Sequence, residues 1–177
     1  MTLPPDADAP VETMWAGNYI TARKQGRWEY VGRARGIKAA AIVALDDGHL
    51  ILVDQYRVPL GRQSLELPAG LVGDETSGEA IEVAAARELE EETGYRPGRV
   101  ESLGEFWSSP GMVSESFFLV RAHDLTRVGA GGGVGEEGIT VHRVRLDEVP
   151  AFVAKCRARG MAIDVKLLLA LGSVFLG

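Results

Sequence analysis

The chain has 177 residues, 46% of them hydrophobic, which is enough for one well-filled core and too few for a second domain of full size. Its 25 acidic against 19 basic residues give a formal charge of −6, which argues against a nucleic-acid surface and leaves a small anionic substrate in need of a metal or local arginines. The single Cys156 excludes an internal disulfide, the start "MTLPPDADAP" carries no signal segment, and the apolar tail "LLLALGSVFLG" is too short to cross a bilayer, so a cytoplasmic protein without membrane contact is expected.

In chain order, residues 1 to 10 are acidic and Pro-rich and read as a loose tail. "MWAGNYITARKQGRWEYVGRARG" reads as two strands joined by a turn near Gln25 and Gly26, an antiparallel ribbon with two Trp and two Tyr that the chain around it is too short to bury. "KAAAIVALDDGHLILVDQYR" is two apolar runs split by Asp46, Asp47 and Gly48, a hairpin signal, and the nearly continuous apolar runs predict strands buried on both faces. The stretch "VPLGRQSLELPAGLVGDETSG" reads as a loop. It leads into a helix from about Glu79 to Thr93, ended at Gly94. Strands are expected near 99–107, 114–122 and 138–146, then helices over about Asp147 to Arg159 and Asp164 to Leu176.

The Gly-rich run "RVGAGGGVGEEG" does not match G-x-G-x-x-G, and it precedes a strand where a dinucleotide fingerprint would follow one. It reads as a flexible loop that delivers Glu136 and Glu137 to some other part of the molecule.

The helix poses a charge problem. In "ARELEEETGY" four glutamates crowd the helix C-terminus, where the dipole favours cations. Glu88, Glu91 and Glu92 share one face at i, i+3 and i+4, while Glu90 points away. Ile81, Ala84 and Ala85 lie on the same side one to two turns earlier, so this face starts apolar and ends acidic. Three carboxylates at the margin of a packed surface need a cation. Hard oxygen donors suit Mg²⁺ or Mn²⁺, whereas zinc would want a His or Cys cluster that the chain does not contain.

Gly73, Glu79, Arg87-Glu88-Leu89, Glu91-Glu92 and Gly94-Tyr95 fall at the spacing G-x5-E-x7-R-E-U-x-E-E-x-G-U, which resembles the signature box of the Nudix hydrolases, with Tyr95 where an aliphatic residue is more usual. The resemblance implies an α/β fold: a Nudix α/β/α sandwich with a mixed β-sheet, here with an N-terminal antiparallel β-ribbon. It also implies a Mg²⁺-dependent hydrolase of a nucleoside diphosphate linked to another moiety, with Arg87 holding the glutamates in place.

The flanks "LELPAGL" and "SPGMVSE" are similar to the ADP-ribose pyrophosphatase branch. Relatives there take the glycine of "PAG" as the first box glycine. Here Gly70 lies nine residues before Glu79, so the loop is three residues longer and Gly73 meets the formal spacing. The branch implies the Ala69 carbonyl, Glu88 and Glu92 as metal ligands, with Glu91 sharing a second ion. It implies a base from a mobile loop before a late strand, for which Glu137 fits best, Glu136 next, and a helix glutamate such as Glu91 after that. Arg57 is a candidate phosphate contact, Trp28 an adenine stacker, and Glu66 and Glu115 candidates for ribose hydroxyls or metal support. ADP-ribose, split into AMP and ribose 5-phosphate, is the implied substrate. GDP-mannose or another nucleotide sugar, an oxidised nucleoside triphosphate, and a sensing module that does not hydrolyse are the alternatives. Homodimers formed through N-terminal sheets are also implied, giving a division into a dimerisation arm over 1–36 and a hydrolase domain over 37–177.

Overall fold

In a computed structural model, residues 3–73, 79–135 and 137–172 are described. Strands β1 (Val11–Ala16), β2 (Ile20–Gln25) and β3 (Trp28–Arg33) form an antiparallel sheet of their own. The expected turn is present, with Gln25 paired to Trp28 and Gly26 at φ 58°. The expected two-stranded ribbon is corrected to three strands. Gly17 and Asn18 make a second turn, closed by Gly17 N–H donating to Ile20 O at 2.9 Å, because these are residue types that leave a strand readily. Nor is the described part of the tail loose: Arg27 bonds Asp6 at 2.7 Å and Gln25 donates to Ala7 O at 3.1 Å, folding it back onto the hairpin.

The body follows as β4 (Lys38–Asp46), β5 (His49–Arg57), β6 (Arg62–Glu66), β7 (Ala69–Val72), α1 (Ile81–Thr93), β8 (Tyr95–Arg96), β9 (Arg99–Trp107), β10 (Ser116–His123), β11 (Thr126–Arg127), β12 (Thr140–Arg145), α2 (Val149–Ala158), β13 (Ala162–Ile163) and α3 (Val165–Ala170). Asp47 and Gly48 both take positive φ, 46° and 71°, as the tight hairpin turn between β4 and β5 requires. Only Leu45↔Leu50 and Asp46↔His49 pair, and the strands then diverge. β4 runs parallel to β10 and antiparallel to β7, while β5 takes β6 and β12. The result is an eight-stranded mixed sheet.

β6 and β7 correct the loop expected over 58–78, in so far as that stretch is described. Their strand character comes from pairing with β5 and β4 across long sequence distances, and Pro68 between them masks it locally. Residues 74–78, where the lengthened loop continues, lie outside the described residues, as do Glu136 and the expected end of the last helix beyond 172.

Burial on both faces of the central strands is borne out by strict alternation. Ala41, Val43, Leu50 and Leu52 pack toward Val149, Val153 and Cys156 of α2 and Leu167 and Ala170 of α3. Ala40, Ile42, Ala44 and Ile51 pack toward Ala84, Ala85 and Leu89 of α1. Helices therefore cover both faces, the expected α/β/α sandwich. Leu89 is fully buried between two partly buried glutamates, so it fixes the acidic turn onto the core, and truncating it to Ala costs about 2–5 kcal/mol. No helix among the described residues is long and apolar enough to cross a membrane.

Candidate active site

α1 ends where the sequence places its end. Gly94 adopts φ 73° and its N–H donates to Glu90 O at 2.8 Å, a left-handed cap that a Cβ-bearing residue takes at a cost. The preceding turn aims its carboxylates at β7. A Cβ on Gly70 would stand 2.0 Å from Cγ and Cδ of Glu88, so the glycine of "PAG" leaves the space that Glu88 occupies. Glu92 reaches the same strand and accepts the Ala69 N–H at 3.1 Å.

Arg87 sits 3.0 Å from Glu88, 3.4 Å from Glu91 and 3.7 Å from Glu79, so one guanidinium lies among three carboxylates. Glu90 lies apart, held by Arg96 at 2.7 and 2.8 Å, as the helical spacing predicts. Burial pushes the Glu92 carboxyl up to about 8, and the Glu88 and Glu137 charges add to the rise, while the Ala69 N–H and Arg57 oppose it. A buried carboxylate driven toward neutrality beside a second carboxylate suits a cation.

Among the described residues, no three His, Cys, Asp or Glu side chains form a ready-made cage. The oxygen donors at hand are the Glu88 and Glu92 carboxylates beside Gly70 and Ala69, and such a small set fits Mg²⁺ or Mn²⁺, which keep several waters and use one or two carboxylates. The residues present fit the expected ion.

Facing this turn is a cavity of about 370 Å³ whose wall includes Arg33, Arg57, Glu66, Ala69, Gly70, Ser108, Glu115, Phe117 and Lys166. Arg57 and Glu66, each expected to meet substrate, form a two-point pair at 2.9 and 2.7 Å, with Glu66 buried. Glu115 is paired to Arg33 at 2.6 Å. Lys166 is paired to Asp164 at 2.6 Å and stands 5.6 Å from the Phe117 ring centre. Arg33 and Lys166 escaped the sequence reading, since neither lies in a motif and each reaches the cavity only through the fold.

The structure does not bring Trp28 into this cavity within one chain. It is 54% exposed and lines a separate hollow with Tyr30, Pro110 and Val113. Glu137 is exposed on the loop before β12. Its carboxylate accepts the Val134 N–H at 2.8 Å, and its carbonyl accepts Gln55 Nε2 at 3.0 Å. Its charge acts on Glu92, which links the loop to the acidic turn.

Similarity to known proteins agrees with this geometry. Residues 35–161 match the profile of the NUDIX domain. The chain is 40% identical over 89 residues to the ADP-ribose pyrophosphatase of Bacillus subtilis (strain 168), covering 50% of this chain and 46% of that one. It is 36% identical over 121 residues to the methanol dehydrogenase activator of Bacillus methanolicus, covering 67% and 64%. It is also 36% identical over 112 residues to the GDP-mannose pyrophosphatase of Citrobacter koseri, covering 59% and 56%. The chain thus spans roughly half to two thirds of the length of these curated relatives. A solved ADP compounds hydrolase superposes with a TM-score of 0.66 at 25% identity, over 82% of this chain and 80% of that one.

Proposed function

The chain belongs to the NUDIX domain family, and from that premise we propose that it is a Mg²⁺-dependent pyrophosphatase of nucleoside diphosphate sugars, with ADP-ribose as substrate and AMP and ribose 5-phosphate as products. The observation that carries the substrate class is the paired wall of the cavity. Arg33, Arg57 and Lys166 are each held by a carboxylate, Glu115, Glu66 and Asp164. A wall of alternating charge suits a ligand that presents phosphate oxygens to the cations and sugar hydroxyls to the carboxylates. A triphosphate brings more negative charge and fewer hydroxyl donors, and the same carboxylates would repel it. The relatives named for ADP-ribose and for GDP-mannose support a nucleotide sugar and make the second the alternative.

In this reading Glu88, Glu92 and the Ala69 carbonyl hold Mg²⁺, with Glu91 toward a second ion and Arg87 fixing the carboxylates. Bound there, Mg²⁺ supplies cancellation of pyrophosphate charge and a more acidic water. Glu137 accepts the proton of the attacking water as the new P–O bond forms. The bond from that phosphorus to the bridging oxygen breaks, and the bridging oxygen leaves with the second phosphoryl group, giving two phosphate monoesters. Arg57, oriented by Glu66, meets a phosphate, and Glu115 with Arg33 faces the ribose hydroxyls.

Residues 1–36 serve as the dimerisation arm of a homodimer, and 37–177 as the hydrolase domain. Val11, Met14, Trp15, Tyr19 and Trp28 are all more than half exposed on or beside the three-stranded sheet, an apolar surface that a second copy would cover. Trp28 would then stack on the adenine in the partner's site. The cytoplasm is the compartment this reading assumes.

A panel of ADP-ribose, GDP-mannose and nucleoside triphosphates, assayed with Mg²⁺ and with chelator and with the monoester products identified, tests the proposal. Hydrolysis of ADP-ribose at least tenfold above the triphosphates supports it, and a triphosphate preference overturns it. Sedimentation at micromolar concentration tests the dimer, and a fully active monomer would remove the shared site.

A further inference from the structure

The Gly-rich run before β12 was expected to be flexible, yet its backbone is bonded to the end of α1. Val128 and Gly129 N–H both donate to Gly94 O, at 2.8 and 3.1 Å. Gly132 N–H donates to Glu92 O at 2.8 Å and Gly133 N–H to Glu91 O at 3.1 Å. The last carbonyls of a helix have no partner inside it, so the loop satisfies acceptors that would otherwise turn to water. Two of those carbonyls belong to glutamates of the acidic turn.

Only glycine permits the approach. Gly131 takes φ +73°, and a Cβ there would lie 2.4 Å from the Thr93 carbonyl carbon and 2.6 Å from Glu92 O. Gly94 takes φ +73°, with a Cβ 2.3 Å from Gly129 O, so the two backbones interlock through missing side chains. Gly133 takes φ +81°, and a Cβ there would lie 2.1 Å from Oε2 of Glu137, the same atom that accepts the Val134 N–H. From the other side Gln55, on β5, holds the Glu137 carbonyl.

We propose that the glycine run 129–133 is a positioning clamp that ties the Glu137 loop to the last turn of α1, so that the base and the metal-side glutamates Glu91 and Glu92 are held in one fixed geometry. The inference rests on the assignment of Glu137 as base made above. The glycines are positioning residues and touch no substrate. Gly133 shapes the space for the Glu137 carboxylate, Gly131 seats the loop on the helix end, and the bond from Val134 leaves Oε1 to take the proton.

The test pairs kinetics with hydrogen exchange on the full chain. Gly133→Ala should lower kcat on the order of 10²-fold with KM little changed, because displacing a catalytic group by about 1 Å has that effect. In a Glu137→Gln background the same substitution should change kcat less than about threefold, since the displaced group is already disabled. Gly135→Ala is the control for backbone strain: φ is +70° and a Cβ meets nothing within 4 Å, so kcat should stay within about threefold. In the unsubstituted protein the Gly132 and Gly133 amides should exchange slowly, and Gly131→Ala should release them.

A Gly133→Ala loss that is equal in both backgrounds, or absent, overturns the clamp as a positioning device. Fast exchange of both amides in the unsubstituted protein overturns the clamp itself. An unchanged kcat in Glu137→Gln, with slow exchange intact, instead removes the base assignment and with it the catalytic purpose of the clamp, while the docking of the loop stands.

Discussion

The two walls of the candidate site are built from the same residue types and treat charge in opposite ways. On the cavity wall each cation has its own carboxylate: Arg33 with Glu115, Arg57 with Glu66 and Lys166 with Asp164. On the α1 wall Arg87 lies among Glu79, Glu88 and Glu91, and Glu92 is buried nearby. Balanced charge orients groups for recognition and asks for nothing more. Unbalanced charge, kept at the edge of a core anchored by Leu89, has a use only when a cation or a proton completes it.

That contrast is sharpened first where the imbalance is greatest. Glu92→Gln and Glu88→Gln remove charge at nearly constant size, so each should lower kcat by about 10³-fold or more while the fold is retained. Thermal unfolding without metal, above about pH 8 where Glu92 is ionised, should show equal or slightly higher stability, since repulsion is relieved. Both variants running at near-normal rates in saturating Mg²⁺ would erase the distinction between the walls.

The loop base comes next. Glu137→Gln should lower kcat by roughly 10² to 10⁴ with KM nearly unchanged, and the acidic limb of the pH–rate profile should change with it. A loss confined to KM would move Glu137 from the chemistry to substrate binding.

The paired wall should respond in the other parameter. Arg57→Met removes a phosphate contact and leaves the buried Glu66 without its cation, whereas Lys166→Met leaves Asp164, the less buried of the two carboxylates, without its own. Both should raise KM for ADP-ribose, about tenfold or more for Arg57 and less for Lys166, with kcat falling less than KM rises. A variant that loses kcat and keeps KM would place its residue on the chemical side.

How much of this was legible follows from the range of each interaction. α1 and its acidic face were readable because periodicity, the Gly94 cap and the i, i+3, i+4 geometry act within one helix. The Asp47-Gly48 turn was readable from its two residues alone. β6 and β7 were not, because they are strands only by virtue of β5 and β4. Arg33 and Glu115 lie 82 positions apart, and no local pattern connects them. Lys166 and Asp164 are close in sequence, but that α3 brings Lys166 to the cavity is a property of the sheet it packs on. The glycine run showed its composition and not its partner. Trp28 was named from its resemblance, and a single chain leaves it outside the cavity.

The smallest effect should be a pH dependence of stability confined to the unbalanced wall. Glu92 titrates at about 8 in the folded chain against an ordinary 4.5. Its folded value lies above its unfolded value, so the native state holds the proton more tightly. The stability this provides is full below about pH 4.5 and is lost as pH rises through about 8. With chelator present, Tm should therefore fall across that window by several degrees, at roughly 2–4 °C per kcal/mol lost. Mg²⁺ should restore most of the loss at the alkaline end, because it binds the deprotonated carboxylate and stabilises the native state in proportion to its occupancy. Glu92→Gln should flatten the fall and abolish most of the rescue. Glu66→Gln should leave the slope in place, since Glu66 is already matched by Arg57 at two points. If the slope survived Glu92→Gln and vanished in Glu66→Gln, the charge imbalance would lie on the cavity wall and the assignment of the two walls would have to be exchanged.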